Sequence, residues 1–260
     1  MPHLLVFDSG IGGLGVVEQI RRLQQKAAIT YLADSGFYPY GEKPDTMLIE
    51  RILTVIGKAI ETTKPDAVVI ACNTASTIAL SALREKFPLP FIGCVPPIKP
   101  AAAASATRHI GLLATPATIR RPYLQNLIDN FADGCTVHSL GTPLLADLAE
   151  QKFRGAQISP TILSAAIAPL FAQSSAIDSI ALGCTHYTFL LPEFLGLHPQ
   201  LNWFDPALPV ARQVQKITAA LPAASTAVTE TFLTTAPFPD HDIMAPRLAT
   251  YGFRSIRLLD

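Results

Sequence analysis

Two cysteines stand at the ends of apolar runs, each followed at once by small hydrogen-bonding residues. One run reads Ala67-Val68-Val69-Ile70-Ala71 and breaks off at Cys72-Asn73-Thr74; the other reads Ile180-Ala181-Leu182-Gly183 and breaks off at Cys184-Thr185-His186-Tyr187. Such runs are what buried strands of a parallel sheet look like, so each tip delivers a thiol to a carboxyl end. A thiolate is a nucleophile and a usable general base, and a helix N-terminus or a nearby cation brings its pKa towards neutrality. One thiolate and one thiol on opposite faces of a tetrahedral carbon could remove a proton from one side and return one to the other. That inverts the centre and needs no electron-sink cofactor. Asn73, Thr74 and Thr185, with backbone N–H groups, would hold a carboxylate and offset the charge developing on it.

Other uses of these cysteines fit less well. Cys72, Cys94, Cys135 and Cys184 lack close-pair metal spacing, so no metal is expected, and a Cys-x-x-Cys redox couple is absent. A Cys–His–acid hydrolase could recruit His186 but would leave one thiol surplus. Cys94 and Cys135 read as inert buried cysteines.

The elements that must position the two tips follow in chain order. Strand 4–7 leads into Asp8-Ser9-Gly10-Ile11-Gly12-Gly13-Leu14-Gly15 and a helix over 16–25. Strand 29–33 ends at Asp34-Ser35, an aromatic turn-rich loop runs through Tyr40 and Gly41, and a helix over 45–62 shows one apolar face. The Cys72 strand follows, so strand–helix–strand–helix–strand predicts a parallel sheet with right-handed crossovers. Five prolines between 88 and 100 mark a passage between domains, followed by a helix over 101–106. The pattern then restarts: strand 110–114, tip Thr115 to Thr118, helix 121–131, strand 136–140, a helix through Leu145 and Leu148, helix 160–173 and the Cys184 strand. Trp203 reads as core in a further strand, 201–204. A helix from 209, a strand over 226–235, another helix and a strand over 255–259 return to the first half. The fold class is therefore α/β: two similar lobes, each with a mostly parallel sheet flanked by helices, and an active site between them. The expected domains are 1–95 with 208–260, and 96–207. Asp8, Ser9, Asp34, Cys72, Thr115 and Cys184 all fall at strand carboxyl ends, where ligands of open parallel sheets bind.

Lys+Arg and Asp+Glu number 20 each in 260 residues, and no run of five like charges occurs, so neither a nucleic-acid nor a membrane-surface partner is expected. The N-terminus lacks a basic leader, no window approaches about 18 apolar residues, and the cysteines suit a reducing compartment. The expected location is the cytoplasm.

Gly10-Ile11-Gly12-Gly13-Leu14-Gly15 satisfies G-x-G-x-x-G after a strand, with Asp34 downstream. A nicotinamide-dependent dehydrogenase is the competing reading. Asp8 stands against it, because its carboxylate would repel a pyrophosphate at the helix N-terminus, and two matched cysteine tips would have no task.

Asp8-Ser9-Gly10-Ile11-Gly12-Gly13, Pro39-Tyr40-Gly41-Glu42-Lys43, Ala71-Cys72-Asn73-Thr74-Ala75 and Gly183-Cys184-Thr185-His186-Tyr187 resemble the four signature segments of glutamate racemase, in order and at similar spacing. Val95 to Pro100 and Gly111 to Thr115 resemble further family segments. The resemblance implies cofactor-independent proton transfer between L- and D-glutamate, supplying D-glutamate for peptidoglycan. It implies that Cys72 takes the proton from D-glutamate and Cys184 from L-glutamate, with Asp8, His186 and Glu150 assisting. Substrate contacts would come from Asp8, Ser9, Tyr40, Gly41, Asn73, Thr74, Thr185 and His186, and also from Thr115 and Thr118. Gly141-Thr142-Pro143-Leu144 lacks a cysteine often present before Glu150, and Phe204-Asp205-Pro206-Ala207 follows its family element only loosely. With seven residues before Asp8, a regulatory N-terminal extension, and with it activation by a wall precursor, is not expected. His186 held in a core by a carbonyl, and Tyr40 packed while Gly41 shapes its loop, are the bland alternatives. His3, His109, His138, His198 and His241 belong to no constellation. An aspartate racemase, or a gyrase-binding protein without catalysis (some such racemases bind DNA gyrase), are the rival functions. A homodimer and a monomer both remain open.

Overall fold

In the computed structural model, which describes residues 2–24, 27–221 and 229–259, every residue of the first strand, β1 (His3–Asp8), is buried. That marks a strand covered on both faces. The chain continues through α1 (Leu14–Leu23), β2 (Ala28–Ala33), α2 (Asp45–Thr63), β3 (Ala67–Ile70), α3 (Asn73–Lys86) and β4 (Phe91–Gly93). A second series follows: α4 (Ile98–Ala104), β5 (His109–Ala114), α5 (Pro116–Ile119), α6 (Pro122–Phe131), β6 (Thr136–Gly141), α7 (Leu144–Phe153), α8 (Pro160–Phe171), β7 (Ser179–Leu182), α9 (Leu191–Leu197) and β8 (Asn202–Phe204). The return to the first series is made by α10 (Ala207–Thr218), β9 (Thr231–Thr234), α11 (His241–Thr250) and β10 (Ile256–Leu258). Two units result, Met1–Cys94 with Ala207–Asp260, and Val95–Pro206.

The first unit holds a sheet in the order β10-β9-β2-β1-β3-β4, the second a sheet in the order β6-β5-β7-β8. Each of these strand pairings is parallel. The run β2-β1-β3-β4 and the run β6-β5-β7-β8 have the same topology, so the expected duplication of architecture is real. β1 and β5 correspond, and so do β3 and β7, the strands that carry the cysteines.

Side chains alternate across each sheet, and the two faces bury different helices. In the first unit Leu5, Phe7, Leu32, Val68 and Ile70 pack on Leu48, Ile52 and Ile56 of α2 and Ala75, Ala79 and Leu83 of α3. In the second, Leu113, Ile180 and Leu182 meet Leu145 of α7 and Leu163 and Ile167 of α8. Ile110, Leu112 and Ala181 turn the other way, onto Ile98 and Ala101 of α4 and Leu124 of α6. At about 25 cal/mol per Å² of apolar area removed from water, these faces supply the main drive for folding.

Several elements depart from expectation for local reasons. The expected helix 121–131 is preceded by a separate turn, α5, because Thr115 caps it through Thr118 N–H (3.2 Å) and Pro122 opens a new helix. Proline supplies no N–H, which costs nothing in a first turn. α4 starts inside the proline-rich passage, at Ile98 and not Ala101, for the same reason: Pro100 lies in its first turn. Of the expected strand 226–235, β9 covers Thr231–Thr234, and positions 226–228 lie outside the described residues, as does Gln25 of the expected first helix. Trp203 is half-buried, stacked on Phe194 with ring centroids 4.8 Å apart.

Candidate active site

β1 ends at Asp8, which is wholly buried, and its Oδ1 accepts the Gly10 N–H at 2.7 Å. The carboxylate therefore occupies the backbone donor that a pyrophosphate would use in the dinucleotide reading. Gly13 is required by packing: a Cβ there would lie 2.9 Å from Ala71 Cβ and 2.9 Å from the Tyr31 hydroxyl. That hydroxyl donates to Gly10 O at 2.9 Å, so Tyr31 holds the loop that presents Asp8.

Cys72 caps α3 and is 6% exposed, with Ser9 Oγ 3.9 Å from its sulfur. Beside it, Asn73 is 2% exposed, and neither Oδ1 nor Nδ2 has a hydrogen-bond partner among the described residues. A buried primary amide without partners costs folding free energy, on the order of 1–3 kcal/mol per unmet group. Tyr40 is buried in the same apolar cluster as Cys72, and its hydroxyl donates to Asp34 Oδ2 at 2.6 Å. Burial first, and then the Asp34 charge, push its phenol far above the ordinary range and keep it a donor. Gly41 follows in a one-turn 3-10 helix, Tyr40–Glu42.

In the second unit Gly183 lets the Cys184 tip close on β5: a Cβ there would lie 2.9 Å from Ala114 Cβ. Cys184, 8% exposed, heads a 3-10 helix, Thr185–Leu190. The tight turn aims the Tyr187 hydroxyl at Thr142 O (2.7 Å) and Ala114 O (3.2 Å), which ties the tip to the ends of β5 and β6. His186 is buried and its Nε2 lies 3.0 Å from Glu150 Oε1, while Arg154 binds the other carboxylate oxygen. Burial alone would raise the Glu150 pKa; His186 and then Arg154 outweigh it and hold the carboxyl at about 2. An ionised carboxylate cannot donate, so the shared proton rests on His186 Nε2. Thr115 and Thr118 hydroxyls sit 2.9 Å apart at the end of β5.

The low Glu150 pKa has a consequence for stability. A depressed carboxyl stabilises the fold above its unfolded pKa, and that contribution disappears as pH falls through the folded value. The Glu150–His186–Arg154 set is therefore expected to weaken between about pH 4.5 and 2. Urea midpoints measured across that window should fall more steeply for the wild type than for Glu150→Gln; parallel curves would remove the ion-paired state.

Within the first unit the structure thus gathers Asp8, Ser9, Tyr40, Cys72 and Asn73, and within the second Glu150 and His186. Sequence reasoning missed Tyr31, Arg51, Arg154 and Thr235 as partners of these residues. Arg51 had a signal: it lies beside Leu48, Ile52 and Val55 on the apolar stripe of α2, where a charge needs a partner. Likewise His109 and His138, expected to be unrelated, stack with Nδ1 and Nε2 3.0 Å apart.

Comparison with known proteins follows the same lines. A family model described as Asp/Glu/Hydantoin racemase matches residues 15–214. The glutamate racemase of Granulibacter bethesdensis is 50% identical over 248 residues, covering 92% of this chain and 90% of that protein. The chain belongs to the glutamate racemase family. Among solved glutamate racemases, that of Escherichia coli, in complex with L-glutamate and the activator UDP-MurNAc-ala, superposes with a TM-score of 0.94 at 36% identity, covering 99% of this chain and 97% of that one. Isoform RacE1 from Bacillus anthracis gives 0.85 at 27% identity, covering 100% and 97%. The glutamate racemase resemblance and the α/β fold class are both borne out. Among the described residues of this racemase-family chain, no helix is long and apolar enough to cross a membrane.

Proposed function

We propose that this chain interconverts L- and D-glutamate by proton transfer at the α-carbon, with Cys72 and Cys184 as the two acid–base groups. The observation that carries the reading is the repeated placement of a thiol: in each sheet the equivalent strand, β3 or β7, is followed two residues on by a buried cysteine and then polar residues. In the D-to-L direction the Cys72 thiolate takes the α-proton and the Cys184 thiol delivers one to the opposite face. The L-to-D direction exchanges their roles. Removal of the α-proton leaves charge that spreads onto the substrate carboxylate. Donors able to meet that charge are the N–H groups of the first turn of α3, the Asn73 amide and the Thr185 hydroxyl. Ser9, next in sequence to Asp8, lies beside the first thiol, and His186, oriented by Glu150, follows the second in sequence. The product would serve peptidoglycan synthesis, and the cytoplasm is where that substrate is met.

The decisive measurement is proton NMR of the purified, reduced protein with L-glutamate in D2O, followed by chiral analysis. Loss of the α-proton signal with D-glutamate appearing is the expected result. Turnover of aspartate but not glutamate would move the chain to another substrate with the same mechanism. Silence with both acids would end the two-thiol reading.

A further inference from the structure

Asp34 directly follows β2 with its side chain wholly buried, which is a demanding place for a carboxylate. Four donor groups surround it. Tyr40 Oη lies 2.6 Å from Oδ2, Arg51 Nε 3.0 Å from Oδ2, Arg51 Nη2 2.6 Å from Oδ1, and Thr235 Oγ1 2.6 Å from Oδ1. The same Thr235 hydroxyl accepts the Gly36 N–H at 3.0 Å, so one oxygen ties the carboxylate to the start of the Tyr40–Gly41 loop. Next to it Ser35 Oγ lies 2.5 Å from Thr234 Oγ1 and accepts the Ala236 N–H at 3.2 Å. Phe37, inside the loop, stands edge-on to Tyr40 with Arg51 over its ring.

We propose that Asp34, clamped by Arg51 and Thr235, is a positioning residue for the racemase site: it fixes the Tyr40–Gly41 loop against Cys72. The returning segment after β9 is then a working part of that site and not only the closure of the sheet. This rests on the glutamate racemase reading. The geometry supports it because the loop is joined to the sheet at three points, Tyr40 on the Asp34 carboxylate, Gly36 on the Thr235 hydroxyl that also binds it, and Ser35 on Thr234 and Ala236, and two of them run through 234–236. Tyr40 and Cys72 belong to one buried cluster, so a loop that loosens also opens the wall beside the thiol. A positioning role predicts damage to substrate binding more than to the proton transfers themselves.

Thr235→Val keeps the shape of the side chain and removes the hydroxyl, and Thr235 has no place in the catalytic set. Its KM for glutamate should rise roughly tenfold in both directions with kcat within about twofold, and Thr235→Ser should restore both. Amide hydrogen exchange over residues 36–43 should quicken in Thr235→Val and return to the wild-type rate in Thr235→Ser. Unchanged exchange in Thr235→Val would overturn the clamp. Faster exchange with an unchanged KM would confine it to structure and overturn the role in the site. Wild-type protein without glutamate turnover would instead sink the racemase reading, and exchange would still decide the clamp.

Discussion

Cys184→Ala is expected to lower racemisation by roughly a thousandfold or more, and Cys72→Ala to do the same, because in the proposed mechanism each removes one of two obligatory proton carriers. The two variants should differ in what they keep. With Cys184 gone, Cys72 can still take the α-proton of D-glutamate and return a solvent deuteron to the same face. Exchange without inversion therefore persists for D-glutamate and vanishes for L-glutamate. With Cys72 gone, the pattern reverses. Folding is not the confounder, since each change deletes one buried sulfur, a loss of about 1 kcal/mol on the scale of a methylene. Following α-proton exchange by NMR and inversion by circular dichroism on the same samples separates the cases. Inversion surviving within tenfold of wild type in either variant would contradict the two-thiol mechanism. Exchange retained for the opposite enantiomer would interchange the two roles.

The fold was legible where periodicity is strong. Ala67 to Ile70 and Ser179 to Leu182 are buried at every position, and a strand covered on both faces leaves an uninterrupted apolar run in the chain. The elements that shifted are those whose limits depend on tertiary partners or on caps. α5 exists because the Thr115 hydroxyl meets Thr118 N–H, and no periodic signal announces a single turn. The tips Asp8, Cys72 and Cys184 could be read because a strand carboxyl end followed by polar residues is a local pattern. The clamp on Asp34 could not, since Arg51 and Thr235 reach it from 17 and 201 positions away. Glu150 and His186 are 36 apart and meet only because α7 packs on the 3-10 turn after Cys184. Long-range polar pairing is set by packing, and a single sequence carries no record of it. The glycine-rich segment shows the converse hazard: its spacing suits a dinucleotide, yet Gly10 serves the Asp8 carboxylate and Gly13 serves Tyr31 and Ala71.

Asn73→Leu should make the protein more stable and a poorer enzyme at once. Both polar atoms of the amide are buried without a partner among the described residues, so folding gives them no protein hydrogen bond in exchange. An apolar side chain of similar size removes that cost, worth about 1–3 kcal/mol per unmet group, or several degrees in melting temperature for a chain of this length. Glutamate would lose an amide placed in the first turn of α3, one residue from Cys72, and kcat/KM should fall by about a hundredfold. Asn73→Asp gives the counter-test. A buried carboxylate there adds a desolvated charge and repels the substrate carboxylate, so stability and turnover should drop together. Thermal unfolding and initial rates on the three proteins decide the matter. If Asn73→Leu melted lower and kept its turnover, the amide would be a structural element, and the donor set around the substrate would have to be sought elsewhere on the tip. If it melted higher and lost turnover, the cost carried by the free protein would be explained by the ligand the amide is built to meet, a functional reason for a stable fold to retain an unsatisfied polar group.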